Sequence, residues 1–327
     1  MEGKIRWGII GPGKIAHSFV RDLLLVGDAE LTAVASRNLE KATAFGKEYN
    51  VPNCFGSYKD LFISDTADVL YIATPHTSHA RLSIEAMSHG KHVLCEKPMG
   101  VNSKEVRAMA DAAKKNKVFL MEALWSRFNP SIRKVKQLVD EGAIGTVNYL
   151  RADFGFYALD RELSGRLLNP ELAGGSILDI GIYPAFLAYL FLGTPERIFS
   201  SSKFLENGVE TQTAMILEYP GGHAQLYSGL TCRTGMEAEI GGSTGTIYLH
   251  PRWHETQGYS IEKDGKTSVH ELPTLGKGYA HEIQEVHGCL RGGKTQSDLW
   301  SLQNSADLIS ILDEVRRQNK VVFPFEE

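Results

Sequence analysis

At 327 residues the chain is too long for one ordinary core and about the right length for two domains. Its 43% hydrophobic and 23% charged residues exclude a disordered chain, and a formal charge of -4 with a pI near 6.3 leaves no electrostatic footprint for nucleic acid. The expected partner is a small molecule.

An apolar run, Ile5-Arg6-Trp7-Gly8-Ile9-Ile10, begins so close to Met1 that no charged-then-apolar leader fits before it, which predicts no signal or transit peptide and a cytoplasmic protein. The run meets Gly11-Pro12-Gly13-Lys14-Ile15-Ala16, and a helical pattern follows. This is G-x-G-x-x-A between a strand and a helix. Gly11 permits the tight turn, Gly13 admits a pyrophosphate to the backbone, and Ala16 lets the helix pack on the strand, while Lys14 and Ile15 open a helix whose N-H groups and dipole suit an anion. The motif predicts dinucleotide binding.

The second strand, Leu31-Thr32-Ala33-Val34-Ala35, ends at Ser36 and Arg37, where an NAD site usually places an acid for the ribose hydroxyl. A hydroxyl and a forked guanidinium suit a 2'-phosphate, so NADP is expected, with NAD use compatible. The buried strand Asp68-Val69-Leu70-Tyr71-Ile72-Ala73 delivers Thr74, Pro75, His76 and His79 to the same sheet edge, as candidates to border the nicotinamide half. His76 and His79 have H-x-x-H spacing, but no carboxylate or cysteine completes a ligand set, and Cys54, Cys95, Cys232 and Cys289 are scattered. The expectation is no metal, and reduced thiols.

Val93-Leu94-Cys95 is too short for a helix and reads as a strand that presents Glu96 and Lys97, followed by Pro98, at its carboxyl end. In an open parallel sheet the crevice beyond those ends is where cofactor and substrate meet, which makes Lys97 the first candidate for chemistry. Residues 103–116 form a helix signalled by Asn102 or Ser103 with Glu105, and Val118-Phe119-Leu120-Met121 is a further strand. Strands alternating with helices specify a parallel sheet, so residues 1–122 read as a dinucleotide-binding domain.

Residues 123–327 change period. After a helix at 131–141, the segments 147–154, 198–204, 211–219, 223–231, 237–240, 246–250, 259–263 and 267–272 read as strands of an antiparallel meander. Pro220-Gly221-Gly222 and Asp264-Gly265 mark turns. Ala214 and Ile216 on one face and Met215 and Leu217 on the other need cover on both sides, which predicts a homodimer built sheet against sheet. The longest apolar stretch, 180–192, is broken by Gly181 and Pro184 and reads as a buried helix. The whole is α/β: an N-terminal Rossmann parallel sheet plus a C-terminal α+β domain with a large open antiparallel sheet.

Within Gly174-Gly175-Ser176-Ile177-Leu178-Asp179-Ile180-Gly181-Ile182-Tyr183, Asp179 and Tyr183 are four apart, on one face of a helix. An acid and a phenol inside an otherwise apolar helix are either a packed hydrogen-bonded pair or a site. G-x-G-x-x-A, E-K-P after a strand, G-G-x-x-x-D-x-G-x-Y and a final antiparallel sheet together resemble the Gfo/Idh/MocA oxidoreductase family over essentially the whole chain. Residues 121–128, Met-Glu-Ala-Leu-Trp-Ser-Arg-Phe, and the D-I-G-I-Y form of the last motif are most similar to its dihydrodiol and D-xylose dehydrogenase branch.

That resemblance implies that Lys97 and Tyr183 form the catalytic pair, that Asp179 assists, and that the peptide before Pro98 is cis. Many relatives carry His at the position of Tyr183, which steers the expected substrate from inositols toward diols and aldoses. Oxidising a secondary alcohol needs a group to take the hydroxyl proton and another to stabilise the alkoxide. A nearby ammonium would make Tyr183 a usable base. Trp125, Arg127, Phe128, Phe154, Phe156, Tyr157 and Trp253 are candidates for a substrate wall, since aromatic faces suit a sugar ring or an aromatic diol. The competing readings are a noncatalytic NAD(P)-binding sensor and a glycosidase that keeps its nicotinamide bound.

Overall fold

The computed structural model describes residues 3–326 and divides into two compact units. One comprises the chain up to Phe128 together with Leu275–Ala306, and the other Asn129–Thr274 with the segment from Asp307 onward.

In the first unit the chain runs β1 (Ile5–Ile10), α1 (Lys14–Leu23), β2 (Ala29–Ala35), α2 (Leu39–Tyr49), β3 (Asn53–Phe55), α3 (Tyr58–Ile63), β4 (Val69–Ile72), α4 (His79–Ser88), β5 (His92–Glu96), α5 (Ser103–Asn116) and β6 (Leu120–Ala123). The strands form one parallel sheet in the order β3-β2-β1-β4-β5-β6. The order reverses between β1 and β4, the switch point where open α/β sheets receive ligands. Because both faces are covered, β4 is buried at every position and reads as an unbroken apolar run. Phe19 of α1 stacks on Tyr71 of β4 with centroids 3.7 Å apart and planes at 10°. Asn102 is the cap of α5: its side chain accepts from Glu105 N-H at 3.0 Å while the Glu105 carboxylate accepts from Val101 N-H at 2.9 Å.

The second unit opens with α6 (Pro130–Asp140), capped by Asn129 and started by Pro130. It continues through β7 (Val147–Gly155), α7 (Ile182–Leu192), β8 (Arg197–Phe204), β9 (Glu210–Tyr219), β10 (Gly222–Gly229), β11 (Ala238–Gly242), β12 (Gly245–Leu249), β13 (Gly258–Lys263) and β14 (Lys266–Glu271). The strand order is β14-β13-β12-β11-β7-β10-β9-β8. The sheet departs from the expected antiparallel meander at its centre. There β7 lies between β10 and β11, parallel to the former and antiparallel to the latter. A strand slotted between two antiparallel neighbours must run parallel to one of them. The hairpin between β13 and β14 turns at Asp264 and Gly265, both left-handed with φ of 52° and 70°, as a primed turn requires.

On β9, Met215, Leu217 and Tyr219 face inward, where α7 covers the sheet, while Ala214 and Ile216 face outward. The outer face carries Phe199 at 53% exposure and Ile216 at 46%. Residues 170–192 are long and apolar enough to cross a membrane, yet 78% of that apolar window is buried in the fold, in keeping with a core helix.

The chain then returns to the first unit as α8 (Tyr279–Arg291) before the closing helix α9 (Leu302–Gln318). Asp22 at the end of α1 accepts from the N-H groups of Lys277, Gly278 and Tyr279 at 2.8–3.0 Å, so one buried carboxylate caps α8. Gly276, with φ of +60°, allows this approach, for a Cβ there would lie 2.3 Å from Asp22 Oδ1.

Candidate active site

Gly11 turns the chain out of β1 with φ of +89° and donates to Ala35 O at 3.0 Å, tying the turn to the end of β2. A Cβ at Gly11 would meet Thr74 Cγ2 at 3.0 Å and Ala73 O at 3.2 Å, so the turn also lies hard against the end of β4. Gly13 differs. No side chain caps the helix it begins, and a Cβ there would meet nothing within 4 Å. The N-terminal amides of α1, from Lys14 and Ile15 onward, are thus open to a close-approaching anion, which is the fit a dinucleotide pyrophosphate needs. Ser36 continues from β2, bonded through its N-H to Phe55 O at 3.1 Å, and Arg37 beside it is exposed.

At the end of β4, Thr74 and Pro75 lead into a short turn bearing His76 and then His79. His79 is fully buried, with Nε2 2.8 Å from Thr74 O and Nδ1 2.9 Å from Pro98 O. Both partners are acceptors, and a neutral ring donates to one of them at a time. The ring ties the loop after β4 to the loop after β5. The His76 ring lies 5.7 Å from it, and among the described residues no group of three His, Cys, Asp or Glu side chains is placed to hold a metal ion.

Lys97 stands half-buried one residue beyond β5, joined to Pro98 by a cis peptide. Glu96 precedes it, accepting from the Tyr71 hydroxyl through one oxygen and from Lys97 N-H at 3.1 Å through the other. Burial first, then the charge of Glu96, holds the Tyr71 phenol well above its ordinary range, so it stays a donor. Glu122 on β6 accepts from Met99 N-H at 2.9 Å, from Ser305 Oγ at 2.6 Å and from Trp300 Nε1 at 3.2 Å. It anchors the stretch that carries Lys97, and burial raises its pKa. Trp125 is 6% exposed and stacks on Tyr279, with centroids 4.7 Å apart. Arg127 is buried and donates to Leu299 O at 2.9 Å.

In the second unit, Asp179 lies on a π-helical turn, Ile177–Gly181, that runs into α7, and Tyr183 on the first turn of α7; each is 5% exposed. Pro184 supplies a reason for the wide turn. In an α-helix its ring would crowd the carbonyl of Ile180 and its missing N-H would break that bond, so the chain opens just before it. Glu210 fixes the turn from beneath, with Oε2 accepting from Ile177 N-H at 2.9 Å and Oε1 from Ser176 Oγ at 2.6 Å. At Gly181 a Cβ would lie 3.0 Å from Ser228 Oγ, which explains the third glycine of the motif as a close approach of helix to strand.

Arg166 Nη1 lies 2.6 Å from Asp179 Oδ1. The Tyr183 ring packs 5.4 Å from Phe154 and 5.5 Å from His254, and Phe154 and His254 stack on each other at 4.1 Å. Trp253 is fully buried behind them, its indole N-H bonded to Asp153 O at 2.9 Å, whereas Tyr157 is 50% exposed. The second unit therefore brings together Tyr183, Phe154, His254 and Trp253, with Asp179 four residues before Tyr183. Arg166 and His254 are absent from the sequence reading: one sits in an irregular loop and the other in a single short turn, so neither has a periodic pattern to signal it.

A parallel dinucleotide fold with an open glycine turn, in one chain with an acid and a phenol buried on one helix, defines a nicotinamide-dependent oxidoreductase acting on alcohols. Residues 5–124 match the family model described as oxidoreductase family, NAD-binding Rossmann fold, and residues 132–248 match the GFO/IDH/MocA C-terminal domain. The chain belongs to the Gfo/Idh/MocA oxidoreductase family. It is 36% identical over 333 residues to the trans-1,2-dihydrobenzene-1,2-diol dehydrogenase of Mus musculus, covering 98% of both chains. A 3-ketoreductase from Actinomadura kijaniata, solved in complex with NADP and TDP-benzene, superposes with a TM-score of 0.86 at 27% identity over 96% of this chain and 98% of its own. The aldose-aldose oxidoreductase of Caulobacter crescentus shares the fold, with a TM-score of 0.89 at 23% identity over 97% and 98% of the two chains.

Proposed function

We propose that this protein is an NADP-preferring dehydrogenase that transfers a hydride between the nicotinamide and a secondary alcohol of a cyclic sugar or vicinal diol. The observation that carries the reading is the buried pair Asp179 and Tyr183 on one helix, in a chain aligned end to end with a trans-dihydrodiol dehydrogenase. Both side chains are polar and expensive to bury without a task.

The bound nicotinamide supplies the hydride acceptor or donor. Gly11, Gly13, Lys14 and Ile15 hold the pyrophosphate, Ser36 and Arg37 read the 2'-phosphate, and Thr74, Pro75, His76, His79 and Glu96 border the nicotinamide half. Tyr183 takes the hydroxyl proton during oxidation and returns it during reduction. The Lys97 ammonium favours the phenolate and steadies the developing alkoxide, and Asp179 orients the substrate hydroxyl or the lysine. Phe154 and Tyr157, with Trp253 packed behind, present aromatic surface to the substrate, and Trp125 and Arg127 are the candidate substrate contacts of the first unit.

We further propose a cytoplasmic homodimer. The outer sheet face supports the dimer, since a shallow depression of about 700 Å³ lined by Phe199, Ala214, Ile216 and Tyr227 leaves apolar surface on a strand array. Four free cysteines support a reducing compartment.

The test is nicotinamide absorbance with NADP and NAD against D-xylose, D-glucose, other aldoses, inositols and trans-dihydrodiols. NADP-linked turnover of an aldose or diol is expected. NADP binding without turnover of any of them would make the protein a sensor, and cleavage of nitrophenyl glycosides without net cofactor consumption would make it a glycosidase.

A further inference from the structure

We propose that Arg166 is a positioning residue for Asp179, so that the irregular segment after β7 sets the geometry of the reaction. The inference rests on the reading that Asp179 takes part in that reaction. Arg166 and Asp179 meet at 2.6 Å, with the carboxylate side chain 7% exposed and the arginine side chain 54% exposed. Asp179 stands on a turn pinned by Glu210, whereas its partner arrives from an irregular segment tied to the rest of the unit on either side of it, by Ala158 N-H to Leu230 O at 2.9 Å and Asn207 Nδ2 to Leu168 O at 2.9 Å. Within it Arg161 N-H bonds Ala158 O at 3.1 Å, Gly165 N-H bonds Glu162 O at 3.0 Å and Leu168 N-H bonds Gly165 O at 3.1 Å.

Residues 160–164 of this segment are all exposed, including Leu163 at 59%. An ion pair with one partner more than half in water adds little to fold stability. A carboxylate withdrawn from water does need its charge matched and its orientation fixed, and the planar guanidinium does both at once. The pair is therefore better suited to placing a charge than to holding the fold together. The same bond ties the segment beginning near Tyr157 to the turn that carries Asp179, so a change in the segment reaches the acid directly.

The experiment compares R166M, R166K, D179N and the R166M/D179N double variant of the full chain. We expect R166M to lower kcat about 10- to 100-fold, as a misplaced group does, with NADP affinity and Tm close to wild type. R166K is expected to recover part of the loss, and the double variant to be no slower than D179N alone. Wild-type kcat in R166M, losses that multiply in the double variant, or a loss of kcat matched by a fall in Tm would overturn the proposal. A readout that needs no turnover is the Asp179 carboxyl carbon resonance, assigned by its absence in D179N. It should move in R166M, and an unmoved resonance refutes the pairing. If the wild-type protein turns over no diol or aldose while that resonance moves, the dehydrogenase reading fails and the pairing stands.

Discussion

Ser176 donates its hydroxyl to Glu210 Oε1 at 2.6 Å, and the same carboxylate receives the Thr213 hydroxyl at 2.6 Å and the Ile177 N-H at 2.9 Å. A strand residue thereby holds the start of the turn that bears Asp179. Burial raises the pKa of Glu210, with Ser176 the first of the hydrogen bonds working against that rise. Glu210→Ala would leave the Ile177 N-H unmatched in the core and turn the Ser176 and Thr213 hydroxyls to their other neighbours, Ser228 and Ser202, and should cost about 2–4 kcal/mol by urea unfolding. Glu210→Gln, which keeps an acceptor, should cost about half as much. Wild-type stability in Glu210→Ala would show that the clamp carries no energy.

Glu282 on α8 is fully buried, and among the described residues neither carboxyl oxygen has a hydrogen-bond partner. Burial, then the charges of Glu96 and Asp22, hold its pKa well above the ordinary value of 4.5. The folded state therefore keeps this proton after the unfolded state has lost it. Stability must fall as pH rises from the ordinary carboxylate range toward the folded value. Glu282→Gln removes that proton exchange, so its stability relative to wild type should grow between about pH 5 and 8 in urea melts. An equal pH slope in the two proteins would assign the effect elsewhere.

Tyr183→Phe keeps the ring that packs on Phe154 and His254 but deletes the hydroxyl. Turnover should drop about 10²- to 10⁴-fold, the range for loss of a general acid or base, while NADP still binds by fluorescence titration. Lys97→Met should behave alike. Undiminished kcat in Tyr183→Phe would remove the phenol from the proton path.

Arg37 is exposed beside Ser36 at the end of β2. If it reads the 2'-phosphate, Arg37→Ala forfeits a charge-assisted contact of about 1.5–3 kcal/mol, raising KM for NADP about 10- to 100-fold and leaving that for NAD nearly unchanged. Parallel losses with both cofactors would refute the discrimination.

Ile216→Lys places a charge on the outer face of β9, away from the core beneath the sheet. A dimer joined through that face should become a monomer in sedimentation analysis with its secondary structure intact by circular dichroism, because like charges across an interface are strongly unfavourable. A wild-type protein that sediments as a monomer would end the dimer proposal.

The elements the sequence exposes are those whose cause is local. The glycine turn after β1, the strand that ends at Glu96, the Asn102 cap and the Asp264-Gly265 hairpin each depend on a few adjacent residues. The three-residue strand β3 escapes such reading because Asn53, Cys54 and Phe55 have no periodicity of their own and gain it only by pairing with β2. The parallel pairing of β7 with β10 escapes it as well, since direction within a sheet is fixed by neighbours distant in sequence.

By itself the sequence determined a dinucleotide fold followed by a strand-rich region, with a lysine at a strand end and an acid and a phenol on one apolar helix. Only the tertiary structure decided that Arg166 meets Asp179, that His254 packs beside Tyr183, and that α8 returns to the first unit under the carboxylate of Asp22. Period and turn chemistry are written in neighbouring residues. The partner of a buried charge is chosen by the cost of leaving it unpaired once the chain has closed around it, and that cost does not exist until the fold is complete.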